Sequence, residues 1–82
     1  MKLPRDLSGK ELAQLLRRFG YEVVRRESSH LRLTSTYRDS PHHITIPDHS
    51  ELKIGTLRKI LNLIAGYLQM DPGELKRQLF GG

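Results

Sequence analysis

The sequence predicts an α+β fold in which helices cover one face of a three-stranded antiparallel sheet. Apolar residues at helical spacing occur near both ends of the chain, and three short segments typical of strands lie between them. The order helix, three strands, helix, helix needs only short connections, as in a meander packed on one side by helices. We expect the other sheet face to stay open. All 82 residues (1–82) are expected to form a single domain.

The first predicted helix begins at a capping box. Ser8 and Glu11 stand three residues apart, the spacing at which a hydroxyl and a carboxylate satisfy each other's backbone N–H groups at a helix start. Apolar residues follow at helical spacing, and Gly20 stands where a left-handed residue often ends a helix. We therefore predict a helix of roughly three turns that ends at Gly20.

Three strands are predicted in the middle of the chain. A β-branched pair favours a strand over residues 21–27, and Ser28-Ser29 is a short enough turn to form a hairpin with residues 30–36. After a polar connection, a third strand is predicted over residues 42–46. Pro47 closes it, because proline lacks the N–H group that a sheet ladder needs.

The most regular helical pattern lies in the second half of the chain. Five aliphatic residues repeat at intervals of three and four, which predicts the apolar face of a helix. They are Leu57, Ile60, Leu61, Ile64 and Leu68. Asp71-Pro72-Gly73-Glu74 then has a capping carboxylate, a proline at the first helical position and a glutamate at the third. This pattern predicts a short last helix that includes Leu75 and Leu79.

Composition limits the classes of function. Fourteen Lys and Arg residues against nine Asp and Glu give a net charge of +5, which favours a nucleic acid or an acidic protein as partner. The chain has no cysteine, so disulfides and thiolate metal sites are excluded. No apolar run approaches the ~20 residues of a membrane span, and the first residues lack the apolar core of a secretory signal. We expect a cytoplasmic protein with no membrane contact.

The strand after the Ser28-Ser29 turn carries a candidate catalytic pair. The segment from His30 to Thr34 alternates polar and apolar residues, so His30 and Arg32 are predicted to share the sheet face opposite the core. An imidazole can exchange a proton near neutral pH, and a guanidinium can hold a phosphate. The pair points to chemistry on a phosphodiester. The alternative is that both are ordinary solvated residues.

Three further histidines invite comparison with a metal site. His42 and His43 are neighbours in a predicted strand, so their side chains point to opposite faces and cannot both bind one metal ion in the usual way. Together with His30 and His49 they lack any standard zinc-ligand spacing. A surface histidine pair is the favoured interpretation, and we expect neither a metal nor a cofactor.

Basic residues crowd the start of the second long helix. Lys53, Arg58 and Lys59 lie where the exposed N–H groups and the dipole of a helix already favour a phosphate. Gly55-Thr56 lie between them. A contact with a phosphate group is predicted here, the alternative being a solvated helix face.

Several blocks of the chain resemble a known family, the HicA-type (YcfA-like) messenger-RNA interferase toxins of bacterial toxin–antitoxin pairs. The resemblance covers nearly the whole chain, and its most specific part is the block that leads into the second long helix. The matching segments are Gly20-Tyr21, Ser29-His30, Ile44-Thr45-Ile46-Pro47 with His49, and residues 52–61. The family usually has glycine at the position of Ser28, and often a second histidine at that of Leu31.

The resemblance implies a fold, an activity and a partner. The fold would be similar to that of the double-stranded-RNA-binding domain, α-β-β-β-α(-α). The activity would be cleavage of messenger RNA by the histidine of the turn, which corresponds to His30. A HicB-type antitoxin would neutralise the toxin by covering the active surface. Around the catalytic His30, we expect RNA contacts from Ser29, Arg32, Lys53, Arg58 and Lys59.

A mechanism follows as a hypothesis. His30 would act as general base on a ribose 2′-hydroxyl, whose attack on the adjacent phosphate leaves a 2′,3′-cyclic end without help from a metal ion. The leaving oxygen then needs an acid, for which His43 and water are the candidates. The alternative function is a non-catalytic RNA-binding module.

Overall fold

The computed structural model describes residues 3–81 and has the predicted α+β order of elements. Two helices follow a three-stranded sheet, and one helix precedes it. The elements are α1 (Gly9–Leu15) with a 3₁₀ extension (Leu16–Phe19), β1 (Glu22–Glu27), β2 (His30–Ser35), β3 (His42–Pro47), α2 (Ile54–Leu68) and α3 (Pro72–Phe80). The predicted fold class is thereby confirmed.

The start of α1 is the capping box that the sequence predicts. The Ser8 N–H donates to Glu11 Oε1 at 2.9 Å, and the Glu11 N–H donates to Ser8 Oγ at 3.0 Å. The last turn tightens into the 3₁₀ extension, and Gly20 ends it with φ of 80°, a conformation that glycine adopts at little cost. The chain thereby turns directly into β1.

The sheet is an antiparallel meander with β2 in the centre. Glu27 pairs with His30 across the β1–β2 hairpin, and His30 pairs with Pro47 on β3. The β1–β2 register shifts between Val23 and Arg25, which marks a β-bulge at Val24. As a result, β1 is an irregular edge strand, and all six of its residues are exposed.

The core lies between one sheet face and the helices. Leu31 and Leu33 of β2 and Ile44 and Ile46 of β3 are at most 6% exposed, whereas the residues that alternate with them face outward. The five predicted stripe residues of α2 are also at most 6% exposed. The prediction that helices cover one face and leave the other open is therefore confirmed.

The last helix closes the core. Asp71 caps α3 by accepting hydrogen bonds from the N–H groups of Gly73 and Glu74, and Leu75 and Leu79 are buried as predicted. Among the helices of residues 3–81, none has both the length and the apolarity needed to cross a membrane.

A polar cluster sits where β3 begins, at the end of the sheet away from the β1–β2 turn. The Tyr21 hydroxyl lies 2.6 Å from His42 Nδ1, and the His42 ring stacks on Tyr67 with centroids 4.6 Å apart. Burial lowers the pKa of His42, and the neighbouring His43 lowers it further. Burial, with a smaller effect from Tyr67, raises the pKa of the Tyr21 hydroxyl. The cluster therefore favours the neutral forms of Tyr21 and His42.

Candidate functional site

His30 stands at the tip of the hairpin on the open sheet face. It is the first residue of β2, and the alternation that buries Leu31 and Leu33 turns His30 and Arg32 to the solvent side. In residues 3–81 the only non-glycine residue with positive φ is Gln69, so Ser28 and Ser29 form the turn with ordinary backbone angles. Serine therefore fits where the family usually has glycine.

Ser29 contacts the His30 ring and holds the hairpin turn in place. Its hydroxyl lies 3.3 Å from His30 Nδ1, and its carbonyl accepts a hydrogen bond of 2.8 Å from the Asp48 N–H. The second contact ties the β1–β2 turn to the segment that follows β3. Within residues 3–81 the contact with the Ser29 hydroxyl is the one hydrogen bond that the His30 ring makes, so Nε2 remains available to a substrate.

A groove joins His30 to the start of α2. Its volume is about 740 Å³, within the range of roughly 300–1,000 Å³ that is usual for ligand sites. The sheet contributes His30, Thr45 and Pro47, and the helix side contributes Lys53, Gly55, Thr56, Lys59, Ile60 and Leu63. Two lysines and no carboxylate line this groove, so it suits an anionic ligand.

A smaller hollow beside the groove contains Arg32. It is lined by Glu27, His30, Arg32 and Thr45, and Arg32 pairs directly with Thr45 across β2 and β3. The guanidinium and the imidazole thus share one surface, as the sequence predicts for alternate residues of one strand.

The predicted basic residues divide into two groups. Lys53 and Lys59 line the groove with His30, whereas Arg58 lines a neighbouring hollow of α2 with Gly55, Lys59 and other residues of that helix. Arg58 therefore does not share a groove with His30, although the two grooves are neighbours. Their roles in RNA binding stay predictions.

The N-terminus of α2 is left without a side-chain cap. Lys53 is the N-cap residue and its side chain makes no capping hydrogen bond, and the first turn holds no acidic residue. The first N–H groups of a helix have no partner within the helix. A β-carbon added at Gly55 would meet nothing within 4 Å, so a ligand could approach these groups closely.

His43 does not join the site. It pairs with Thr34 and its Nδ1 lies 2.9 Å from Thr34 Oγ1, four residues along β2 from His30. At ~3.3 Å per residue this separates the two histidines by about 13 Å. His43 is thus too distant to protonate a leaving oxygen at a phosphate held by His30. The structure therefore does not bring His43 together with His30.

The other histidines also lie apart. His42 turns toward Tyr21 on the core side, opposite to His43, and His49 is exposed in the loop after β3. Within the described part of the chain, residues 3–81, no three His, Asp or Glu side chains form a candidate metal site.

Sequence reasoning missed two residues around His30. Glu27 faces it across the hairpin, and a two-residue turn between Glu27 and His30 is a signal that could have revealed this pairing. Leu63 is 56% exposed and lines the groove. The sequence feature that could have revealed Leu63 is an aliphatic residue outside the apolar stripe of α2.

Comparison with models of protein families identifies the family of this chain. A model described as the HicA toxin of bacterial toxin–antitoxin matches residues 9–65. The chain belongs to the HicA toxin family. The matched part runs from α1 into α2 and contains His30 together with every residue that lines the groove of this HicA-family toxin, while α3 lies outside it. Searches of curated proteins and of solved structures found no significant match.

Proposed function

We propose that this HicA-family toxin is an endoribonuclease that cleaves messenger RNA with His30 as general base. The observation that carries the proposal is the groove that His30 shares with Lys53 and Lys59. A proton acceptor beside two cations is suited to an RNA phosphodiester, because the ribose supplies its own nucleophile and the lysines balance the negative charge of the phosphate. Cleavage in this form needs no metal ion.

The proposed reaction is an internal transesterification. His30 Nε2 takes the proton of a ribose 2′-hydroxyl, the 2′-oxygen forms a bond to the adjacent phosphorus, and the bond from phosphorus to the 5′-oxygen breaks. Water that reaches the open groove protonates the 5′-oxygen. The products are a 2′,3′-cyclic phosphate and a 5′-hydroxyl, and the imidazolium returns its proton to solvent.

Ser29 and Arg32 have distinct roles in this proposal. The Ser29 hydroxyl contacts Nδ1 and so orients the ring with Nε2 toward the groove. Arg32, on the same face, binds the phosphate on the other side of His30. Arg58 extends the contact with the RNA backbone along α2.

The proposed partner is a HicB-type antitoxin that covers the groove. The exposed surface around His30 has an excess of positive charge, with Lys53, Lys59 and Arg32 against Glu27, and an acidic protein surface would be complementary to it. Blocking this surface would prevent RNA from reaching His30. If messenger RNA and such a partner are its ligands, the protein acts in the cytoplasm.

The test is cleavage of a long single-stranded RNA in excess EDTA. We expect the parent protein to cleave, His30→Ala to bind RNA without cleaving it, and His43→Ala to cleave like the parent. His43 is the matched control because it is an exposed histidine on the same sheet face. Both replacements concern exposed side chains, so each should change the free energy of unfolding by less than about 0.5 kcal/mol.

Three results would contradict the proposal. They are equal cleavage by the parent and His30→Ala, strict dependence of cleavage on added Mg²⁺, and binding without cleavage by a folded parent. The last result would identify an RNA-binding module instead. Circular dichroism of each variant shows whether a loss of cleavage reflects a loss of fold.

A further inference from the structure

Leu63 is an aliphatic residue on the solvent side of α2. It is 56% exposed and lies outside the stripe of buried residues that holds the helix to the core. Thr56, Lys59, Ile60 and Leu63 follow helical spacing and line the same side of the groove. The exposed isobutyl group thus lies in the same groove as His30.

The groove combines an apolar wall with cationic groups. Pro47 and Ile60 lie with Leu63 along it, and Lys53 and Lys59 belong to the same lining. Nucleobases pack against apolar side chains once they are unstacked, and phosphates bind lysine. A nucleotide has both parts, a base for the apolar wall and a phosphate for the lysines.

We propose that Leu63, together with Pro47, forms a subsite for an unpaired nucleobase of the RNA bound at His30; Ile60 is 6% exposed and belongs mainly to the core. The inference rests on the proposed function, since it concerns the substrate of the same groove. In duplex RNA the bases are stacked and paired, and their faces are not free to meet a protein surface. The subsite therefore makes the toxin prefer single-stranded RNA.

The polar groups beside this wall predict that the subsite accepts any of the four bases. Thr45 and Thr56 line the groove, and a threonine hydroxyl can donate or accept a hydrogen bond. Neither residue imposes one pattern of donors and acceptors on the base. Packing of a base face against aliphatic side chains is likewise open to every base, because it uses no hydrogen bond to the base edge. The subsite selects an unpaired nucleotide rather than one particular sequence.

The experiment separates base contacts from phosphate contacts. The probes are a mixed-sequence 2′-O-methyl single strand, which cannot undergo 2′-attack, its fully abasic counterpart, and its duplex. Fluorescence anisotropy gives the affinity of the parent, of Leu63→Ala and of Val24→Ala for each probe. Val24 is the matched control because it is 61% exposed, lies on β1 and does not line the groove. Alanine favours helix, so Leu63→Ala should fold normally.

The expected result is a loss specific to bases. The parent should bind the base-containing single strand more tightly than the abasic strand or the duplex. Leu63→Ala should weaken binding of the base-containing strand about three- to tenfold, which corresponds to losing contact with roughly half of an isobutyl group. Its affinity for the abasic strand should not change, and Val24→Ala should bind all three probes like the parent.

Other results overturn the subsite. If Leu63→Ala leaves all affinities unchanged, or weakens binding of the abasic and base-containing strands by the same factor, Leu63 does not contact a base. If unmodified RNA is still cleaved through His30, the ribonuclease proposal survives this failure. If the folded parent binds none of the probes and cleaves no unmodified RNA, both proposals are wrong.

Discussion

Gly9 and Pro47 are in direct backbone contact: the Pro47 carbonyl occupies the space that a side chain at Gly9 would need. The Gly9 N–H also donates to the His49 carbonyl at 3.0 Å. The first residue of α1 is thus pressed against the end of β3, directly across from His30. A glycine that helps to shape the core thereby also fixes one side of the groove.

Replacement of Gly9 should destabilise the fold. Gly9→Ala forces α1 away from Pro47, and overpacking of this kind costs about 1–3 kcal/mol. Urea unfolding followed by circular dichroism measures the change. The control is Gly66→Ala, because a β-carbon at Gly66 meets nothing within 4 Å and should stabilise α2 by up to about 1 kcal/mol. Equal stability of Gly9→Ala and the parent would show that the contact can relax freely.

Replacement of Gly55 should separate stability from binding. A β-carbon at Gly55 also meets open space, so Gly55→Ala should leave the free energy of unfolding unchanged or raise it slightly. The same methyl group would stand between an RNA phosphate and the uncapped N-terminus of α2. We expect weaker RNA binding, whereas Gly66→Ala on the same helix should bind RNA like the parent. If Gly55→Ala bound RNA with the affinity of the parent, the RNA backbone would not approach the N-terminus of α2 at Gly55.

Removal of the groove lysines should reduce the salt dependence of RNA binding. Each lysine that neutralises a phosphate of single-stranded RNA contributes about 0.7 to the slope of log K against log salt concentration. Lys53→Ala with Lys59→Ala should therefore lower the slope by about 1.4. Arg17→Ala is the control, since Arg17 lines a different groove between α1 and β1. A slope equal to that of the parent would exclude the lysines as phosphate ligands.

Protonation of His42 should weaken the fold. Burial and the nearby His43 lower the pKa of His42 in the folded protein, so the unfolded chain takes up this proton at a higher pH. The contribution to stability is complete above the ordinary imidazole pKa of ~6.5, and it is lost as the pH falls through that value toward the lower folded pKa. Urea unfolding at about pH 7.5 and about pH 5.5 measures the difference.

Two variants test whether His42 causes this pH dependence of stability. His42→Gln should flatten it, whereas His49→Gln, at an exposed histidine, should retain the slope of the parent. If His42→Gln and the parent lost stability equally between the two pH values, the titrating group would lie elsewhere.

Local patterns explain why much of the fold could be predicted from the sequence. The capping box of α1 and the Asp71 cap of α3 depend on residues two or three positions apart, and the alternation in β2 directly determines which side chains face the core. His30 and Arg32 could be assigned to one face for this reason. The bulge at Val24 and the 3₁₀ end of α1 left no comparable local signal.

The groove could not be predicted because it depends on tertiary packing. The sequence names Lys53 and Lys59 as phosphate ligands, but their position beside His30 depends on how α2 lies against the end of β3. The distance between His30 and His43 likewise depends on the β2–β3 register, which turns and side-chain patterns specify only in part. Leu63 was overlooked because an exposed leucine alone is common on protein surfaces.

The bulge in β1 also bears on how copies of this protein meet one another. Within residues 3–81, β1 pairs only with β2, so its outer edge offers free backbone groups that another strand could join. The bulge at Val24 interrupts the regular spacing of those groups, and the charged side chains of Glu22, Arg25, Arg26 and Glu27 surround it. Irregular, charged edges of this kind oppose aggregation by strand addition, so the β1 edge of the sheet is protected against pairing with a strand of another molecule.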